Sequence, residues 1–195
     1  LDATKDTLIQ VANGAFNVFN GSSIAAGNNA LTIETNSLQV ASGAGNITAG
    51  SLTLLPATNS TNIFLGSATG PGLEISQNAF DVFRTPLITI GEAGYNGTVD
   101  VGNLQVPEGR LDIIANGTGG TVRFDGDFTS TASGVPGGIG LFVEGSGATT
   151  TINGTITSAT AVVIDDAVAF TVELGGQHLL GQRHAHGVGD ALPQR

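Results

Sequence analysis

The chain contains no cysteine, no methionine and no tryptophan. Without cysteine there is no disulfide framework, no thiolate zinc site and no cysteine nucleophile. Aromatic residues make up 5% of the chain and charged residues 11%, too little charge for a disordered protein when 40% of residues are hydrophobic. The leucine, glutamate and lysine abundance of helical proteins is also missing. No apolar run approaches the ~18 residues of a membrane helix, and Leu1 does not open a charged-then-apolar signal pattern. Basic residues are scarce, six against sixteen acidic, and the net charge of −10 opposes binding to nucleic-acid phosphates or to an anionic membrane surface. The lack of methionine even at position 1 leads to the expectation of a processed product or a piece of a longer protein.

What is present is glycine (30 residues), threonine (23) and asparagine (14) in a chain of 195. Glycine and asparagine form turns and threonine favours strands, so one all-β domain with many tight turns is expected. Short apolar-x-apolar pairs act as a ruler: Leu31/Ile33, Leu52/Leu54 and Leu73/Ile75 recur at a constant spacing of 21. Val99/Val101 follows at 26, and 21 then resumes at Val122 with Gly120 in the companion slot (120/122), at Leu141/Val143 and at Val162/Ile164. The five extra residues of the long step predict an insertion around Arg84 to Asn96. A second set of pairs lies between them, including Leu38/Val40, Ile63/Leu65, Ile88/Ile90, Leu111/Ile113 and Phe170/Val172. Asn-Gly turns such as Asn20-Gly21, Asn96-Gly97, Asn116-Gly117 and Asn153-Gly154 separate the sets, where positive φ is tolerated.

Each pair reads as a short strand with two apolar side chains inward and the middle one outward. Two or three such strands enclose no core alone; stacked on a similar coil they do. The predicted fold is therefore all-β, a parallel β-helix (β-solenoid) of about 21 residues per coil over residues 1–174. A β-sandwich also has regularly spaced strands, but it has no reason to repeat coil by coil. Stacked valine, isoleucine and leucine are expected to fill the narrow coil without aromatics. The outward residues Thr32, Thr53, Glu74, Asp100 and Thr121 are polar, whereas Phe142 and Val163 are apolar. A strand apolar on both faces is covered on both, so something is expected to pack outside the last two coils.

From residue 175 to 195 the chemistry changes. This segment holds all three histidines, two basic residues and one acid, net +1, against four basic, fifteen acidic and −11 in residues 1–174. It reads as a flexible tail or cap outside the repeat. His184 and His186, with His178 and Asp190 near, are weak metal-ligand candidates, since imidazole is the commonest metal ligand. A solvated terminus is the simpler reading, and no metal or other cofactor is expected.

Asp165-Asp166 and Asp125-Gly126-Asp127 are the best paired carboxylates for the acid–base chemistry of β-helical polysaccharide lyases and hydrolases. Acids at turns are more often only solvated. The glycine-rich calcium nonapeptide is absent. Arg84, Arg110 and Arg123 do not fall into one row at the spacing of the ruler, which leaves no arginine ladder for an acidic glycan. Thr32 and Thr53 begin a threonine row of the kind an ice-binding face would need, and Glu74 and Asp100 break it. Six Asn-x-Ser/Thr triplets, at Asn20, Asn46, Asn59, Asn96, Asn116 and Asn153, are glycosylation acceptors only in a suitable secretory pathway. There is no Gly-x-Ser-x-Gly, phosphate loop or dinucleotide fingerprint. No catalytic residue is assigned, and the chain is not expected to be an enzyme.

One stretch carries a family likeness: Ile63-Phe-Leu-Gly66, Gly70-Pro-Gly-Leu-Glu-Ile-Ser76, Ala79-Phe-Asp-Val-Phe-Arg-Thr85, Leu87-Ile-Thr-Ile-Gly91 and Gly97-Thr-Val-Asp-Val101. It resembles the β-helix repeats of filamentous-haemagglutinin-like, autotransporter-type bacterial surface proteins. There an apolar Leu-x-Leu-Ser strand leads to a Glu-Leu-x-x-Ile bend, then Leu-x-Ile-Gly and Gly-x-Ile-x-Val. Here Ala79-Phe80 replaces the usual acid and leucine of the bend. The resemblance implies a right-handed parallel β-helix in a long exported protein, secreted or attached to the outer membrane at the bacterial cell surface. On that reading the chain is a structural segment of a large β-helical adhesin or filament and acts as a rigid rod. Its expected partners are a host or neighbouring-cell surface, with glycans as candidate ligands, and the flanking coils of a longer parent chain. Nucleic acid and membrane insertion of this segment are not expected. The alternative is a β-helical polysaccharide lyase or hydrolase, or a non-catalytic carbohydrate-binding module. An enzyme predicts at least two carboxylates and a basic residue converging in a groove on one face; the rod predicts loops such as Arg84 to Asn96 as contact surface.

Overall fold

A computed structural model describes residues 1–170, except Asn13 and the side chains of residues 146–149 and 167–170. Alternation of inward apolar and outward polar residues sets up strand after strand. The first coil comprises β1 (Thr7–Val11), β2 (Phe16–Val18) and β3 (Ile24–Ala25), and the second β4 (Ala30–Thr35), β5 (Leu38–Val40) and β6 (Ile47–Thr48). The third holds β7 (Ser51–Leu55), β8 (Ile63–Gly66), β9 (Leu73–Ser76), a single helical turn α1 (Gln77–Phe80) and β10 (Phe83–Arg84). The fourth is β11 (Leu87–Gly91), β12 (Thr98–Val101) and β13 (Leu104–Val106), and the fifth β14 (Arg110–Ala115), β15 (Thr121–Phe124) and β16 (Phe128–Ser130). In the sixth, β17 (Ile139–Ile152) runs on through a corner and is followed by β18 (Ile156–Ser158); β19 (Ala161–Phe170) opens the seventh.

These strands pair in parallel with their counterparts in neighbouring coils, which makes the molecule a parallel β-helix. The first face is one ladder, β1-β4-β7-β11-β14-β17, with β19 beyond it. The second carries β9-β8-β12-β15 and the end of β17, with β2-β5 as a separate pair below. The third carries two three-stranded sheets, β3-β6-β10 and β13-β16-β18.

The registers assign the coils differently from the even ruler of the sequence. Along the first face Thr7, Leu31, Leu52, Ile88, Leu111, Leu141 and Val162 stack, at unequal intervals. Leu31 to Leu52 and Leu141 to Val162 keep the expected spacing, whereas Leu52 to Ile88 far exceeds it. Leu73/Ile75 does not stack on Leu52/Leu54; it pairs with Ile63/Leu65 on the second face. Val99/Val101 also lies on the second face and pairs with Val122/Phe124, so Phe124, not Gly120, is the companion of Val122. The physical reason is that a coil spans three faces. When loops lengthen it, two pairs that are evenly spaced in sequence fall on different faces. The extra length sits between β8 and β10, not at Arg84 to Asn96: residues 87–91 form the central strand β11, and Tyr95 is fully buried. Val172 lies outside the described residues.

Leu31, Ile33, Leu52, Ile90, Leu111, Ile113, Val122 and Val143 are fully buried, and the stacked aliphatic rows make most of the core. Aromatics belong to it too, contrary to the expectation. Tyr95, Phe80, Phe83, Phe124 and Phe128 are among the largest fully buried side chains, and Phe80 meets Phe83 and Phe124 meets Phe128 edge-on. Burial explains the variant bend: Ala79 and Phe80 sit in the core on α1. The Tyr95 hydroxyl donates to the Thr61 carbonyl (2.7 Å), so its polar end is satisfied inside, and burial raises its pKa.

The Asn-Gly steps do two jobs. Gly21 has positive φ, as the turn reading requires. Gly117 and Gly154 do not; a Cβ there would overlap the carbonyls of Gly94 and Gly126 in the adjoining coil, so glycine is needed for close stacking.

Candidate functional site

The polar side chains of the corners point along the stack and join one coil to the next. Between the first and second faces, Asn59 Nδ2 donates to the Gly94 carbonyl (3.1 Å), Asn116 Oδ1 accepts from the Gly94 N–H (2.7 Å), and Asn116 Nδ2 donates to Glu144 (2.7 Å). Asn62 Oδ1 accepts from the Thr98 N–H at the same corner (3.1 Å). Between the second and third faces, Ser67 Oγ accepts from Asn103 N–H (2.7 Å), Asn103 Oδ1 from Asp127 N–H (2.9 Å) and Asp127 Oδ1 from Thr155 N–H (2.9 Å). Chains leaving a strand expose backbone amides that need acceptors, and Asn62, Ser67, Asn103, Asn116 and Asp127 supply them with short side chains at these corners. The asparagine excess therefore serves stacking as well as turns, a role that no local motif announces because each partner belongs to another coil.

Asp125 and Asp127 do not converge. Asp125 pairs with Arg123 and accepts from Asn153 Nδ2 (2.7 Å), while Asp127 turns to Thr155. Asp165 is exposed opposite Glu144, whereas Asp166 accepts from Thr150 Oγ1 (2.8 Å), so these neighbours diverge as alternating strand residues do. His178, His184, His186 and Asp190 lie outside the described residues. Among the described residues, no group of three or more histidine, cysteine or acidic side chains is placed to hold a metal, and no helix is long and apolar enough to cross a membrane.

The three arginines stand on three faces, each beside an acid. Arg84 lies 3.4 Å from Glu108, Arg110 grips Asp112 with two nitrogens, and Arg123 contacts Asp125 and Asp100. The outward threonine row is longer than expected, because Thr53 stacks on Thr89 rather than on Glu74; it ends at Asp112. The apolar outward residue Phe142 follows Asp112 in that row. Its ring is covered by the Arg110 guanidinium, 5.1 Å from the centroid, so at least part of the cover comes from the same sheet.

Two acid–base groupings emerge, each an arginine and an acid two residues apart joined by a further acid from a neighbouring coil that the spacing did not reveal. On the second face, Asp100 and Arg123 are register partners with Asp125 alongside. Asp100 Oδ1 is buried without a hydrogen-bond partner; burial raises its pKa, reinforced by Asp125 and opposed by Arg123. On the first face, Asp112 is buried against Arg110 with Glu144 near; burial raises its pKa against the pull of the guanidinium. Two clefts open elsewhere, at the corners. One of about 610 Å³ is lined by Ser67, Gln77, Asn103, Gln105, Asp127 and Thr129. The other, about 570 Å³, is lined by Arg84, Pro86, Pro107, Glu108, Ser133 and Pro136. Neither carboxylate grouping lines either of these two clefts.

These two raised carboxyls carry a pH prediction. Between their ordinary value of 3.8 and the raised native values, the folded chain binds more protons than the unfolded one, so stability falls as pH rises through that window. The melting temperature is expected to climb as pH is lowered through that window towards 4, and a steady fall there in a thermal-unfolding series would contradict it. No protein-family model, curated protein or solved structure matches this chain.

Proposed function

We propose that this chain is a rigid-rod segment of a secreted or surface-attached bacterial β-helical adhesin or filament, presenting its outer faces to a host or neighbouring cell. The observation that carries this reading is the use of its polar groups. Each arginine reaches one group of a neighbouring coil, and the corner residues Asn59, Asn62, Asn103, Asn116 and Asp127 bond from coil to coil, which suits a body whose work is to stay stacked under load. The family likeness of residues 63–101 points the same way, and glycans are the natural ligand class on a cell surface. Beads coated with the chain are expected to adhere to epithelial cells, while a panel of soluble polysaccharides incubated with it gains neither reducing ends nor unsaturated ends. Absence of adhesion above that of albumin-coated beads would sink the proposal.

The second reading, a polysaccharide lyase or hydrolase, is favoured by one grouping, Asp100 and Asp125 around Arg123, where two acids and a guanidinium stand together and burial raises the pKa of Asp100. If that group turns over a glycan, Asp100→Asn lowers the rate at least about 100-fold. On the rod reading the same substitution leaves adhesion unchanged, and no turnover is seen in either protein.

A further inference from the structure

We infer that the third coil is a built-in yield point of the solenoid, bridged on its third face by the side chain of Gln77 standing in for a strand. Past this level only the first face keeps an unbroken ladder, β4-β7-β11. On the second face β9 lies against β5 without pairing, and on the third β10 and β13 belong to separate sheets. The third coil also sets two strands, β9 and β8, into the second face where the first face holds only β7. One extra strand adds about 4.8 Å on that side. The coils above are thereby fanned away from those below and turn on the short pairing of Leu52, Thr53 and Leu54 with Ile88, Thr89 and Ile90.

The opening on the third face is where α1 sits and where the polar cleft of about 610 Å³ lies. Gln77 Nε2 donates to the Gln105 carbonyl (2.8 Å), and Gln77 Oε1 accepts from the Gln105 N–H (2.9 Å). One primary amide thus gives β13 the donor and acceptor that a residue of a neighbouring strand would give, closing a sheet edge that would otherwise be open. Nε2 also donates to Asp81 Oδ1 (2.8 Å), which fixes the amide plane. The Arg84–Glu108 ion pair, half-exposed to solvent, also crosses the gap, a weak kind of contact. Below, the Ile47 N–H donates to the Val82 carbonyl (2.9 Å), so the α1 segment touches both blocks and belongs fully to neither.

This deepens the rod reading by giving the rod a place to yield, and its test does not depend on adhesion. Hydrogen exchange is measured on the full chain and on Gln77→Leu and Gln77→Glu. Gln77→Leu is expected to speed exchange at the Gln105 amide and at residues 77–84 about tenfold, the effect of losing hydrogen bonds of ordinary net strength. The amides of β4 and β7 should be unchanged. Gln77→Glu, which still accepts from Gln105 but cannot donate, should fall between. Unchanged exchange at Gln105, or a uniform rise over all coils, would overturn the strand-mimic role. Pulled from its ends, the parent chain should break in two events, and a single event would overturn the yield point. A failure here leaves the adhesion result untouched, and a failure of adhesion leaves the exchange pattern standing.

Discussion

A Thr53→Pro chain is expected to be less stable than the parent by about 3 kcal/mol or more. Thr53 lies in β7 with Thr32 on one side and Thr89 on the other, so both edges of its strand are paired. Proline removes the N–H and forces its ring into a ladder that has no bulge to take it. The position also lies in the β7–β11 pairing, which carries the first face across the third coil. Urea unfolding checks the size of the loss. A change below about 1 kcal/mol would mean that β7 is not a central strand.

Ile113→Ala is expected to destabilise the chain by about 2 to 5 kcal/mol. Ile113 is fully buried, with Ile90 below and Val143 above in the same inward row. Neighbouring coils are held at strand spacing by backbone hydrogen bonds, so the walls cannot collapse to refill the space, and the cavity term adds to the transfer term. The same row ends at Ile9 in β1, where the side chain is only half-buried and one neighbour is missing. Ile9→Ala should therefore show a clearly smaller loss in the same unfolding experiment; equal losses would mean that the inward rows are not stacked as the register has them.

Both experiments probe a ladder whose rows were partly legible in the sequence. Leu31-Thr-Ile33 and Leu52-Thr-Leu54 announced their inward and outward faces, and they do stack on one another as their spacing implied. Leu73-Glu-Ile75 announced its faces equally well but was placed on the wrong neighbour, since alternation reports which way a side chain points and carries no information on the coil that receives it. The candidate acid–base groupings were hidden for the same reason. Asp100 meets Arg123 only because the register puts β12 beside β15, and Glu144 comes near Asp112 only because a longer coil puts β14 beside β17. Asn59, Asn62, Asn103 and Asn116 looked like turn formers, and the coil-to-coil bonds they make depend on that register too.

The sequence by itself determined the class of structure: strands too short and too evenly apolar to close a core alone, separated by glycine and asparagine, have stacking as their means of burial. It also determined that polar residues would take the outward side of the strands and that aliphatic residues would stack inside, but not that aromatics would join them there. Only the tertiary structure decided the rest. Coils differ in length, the turn from Leu52 to Ile88 far exceeding that from Leu31 to Leu52, because the third coil takes up its extra chain as the strand β9 and the helical turn α1. Parallel hydrogen bonding therefore sets the register only after each coil has found its neighbour. The doubled strand of the third coil, the Gln77 amide set against β13 and the arginine–carboxylate pairs all follow from that late choice.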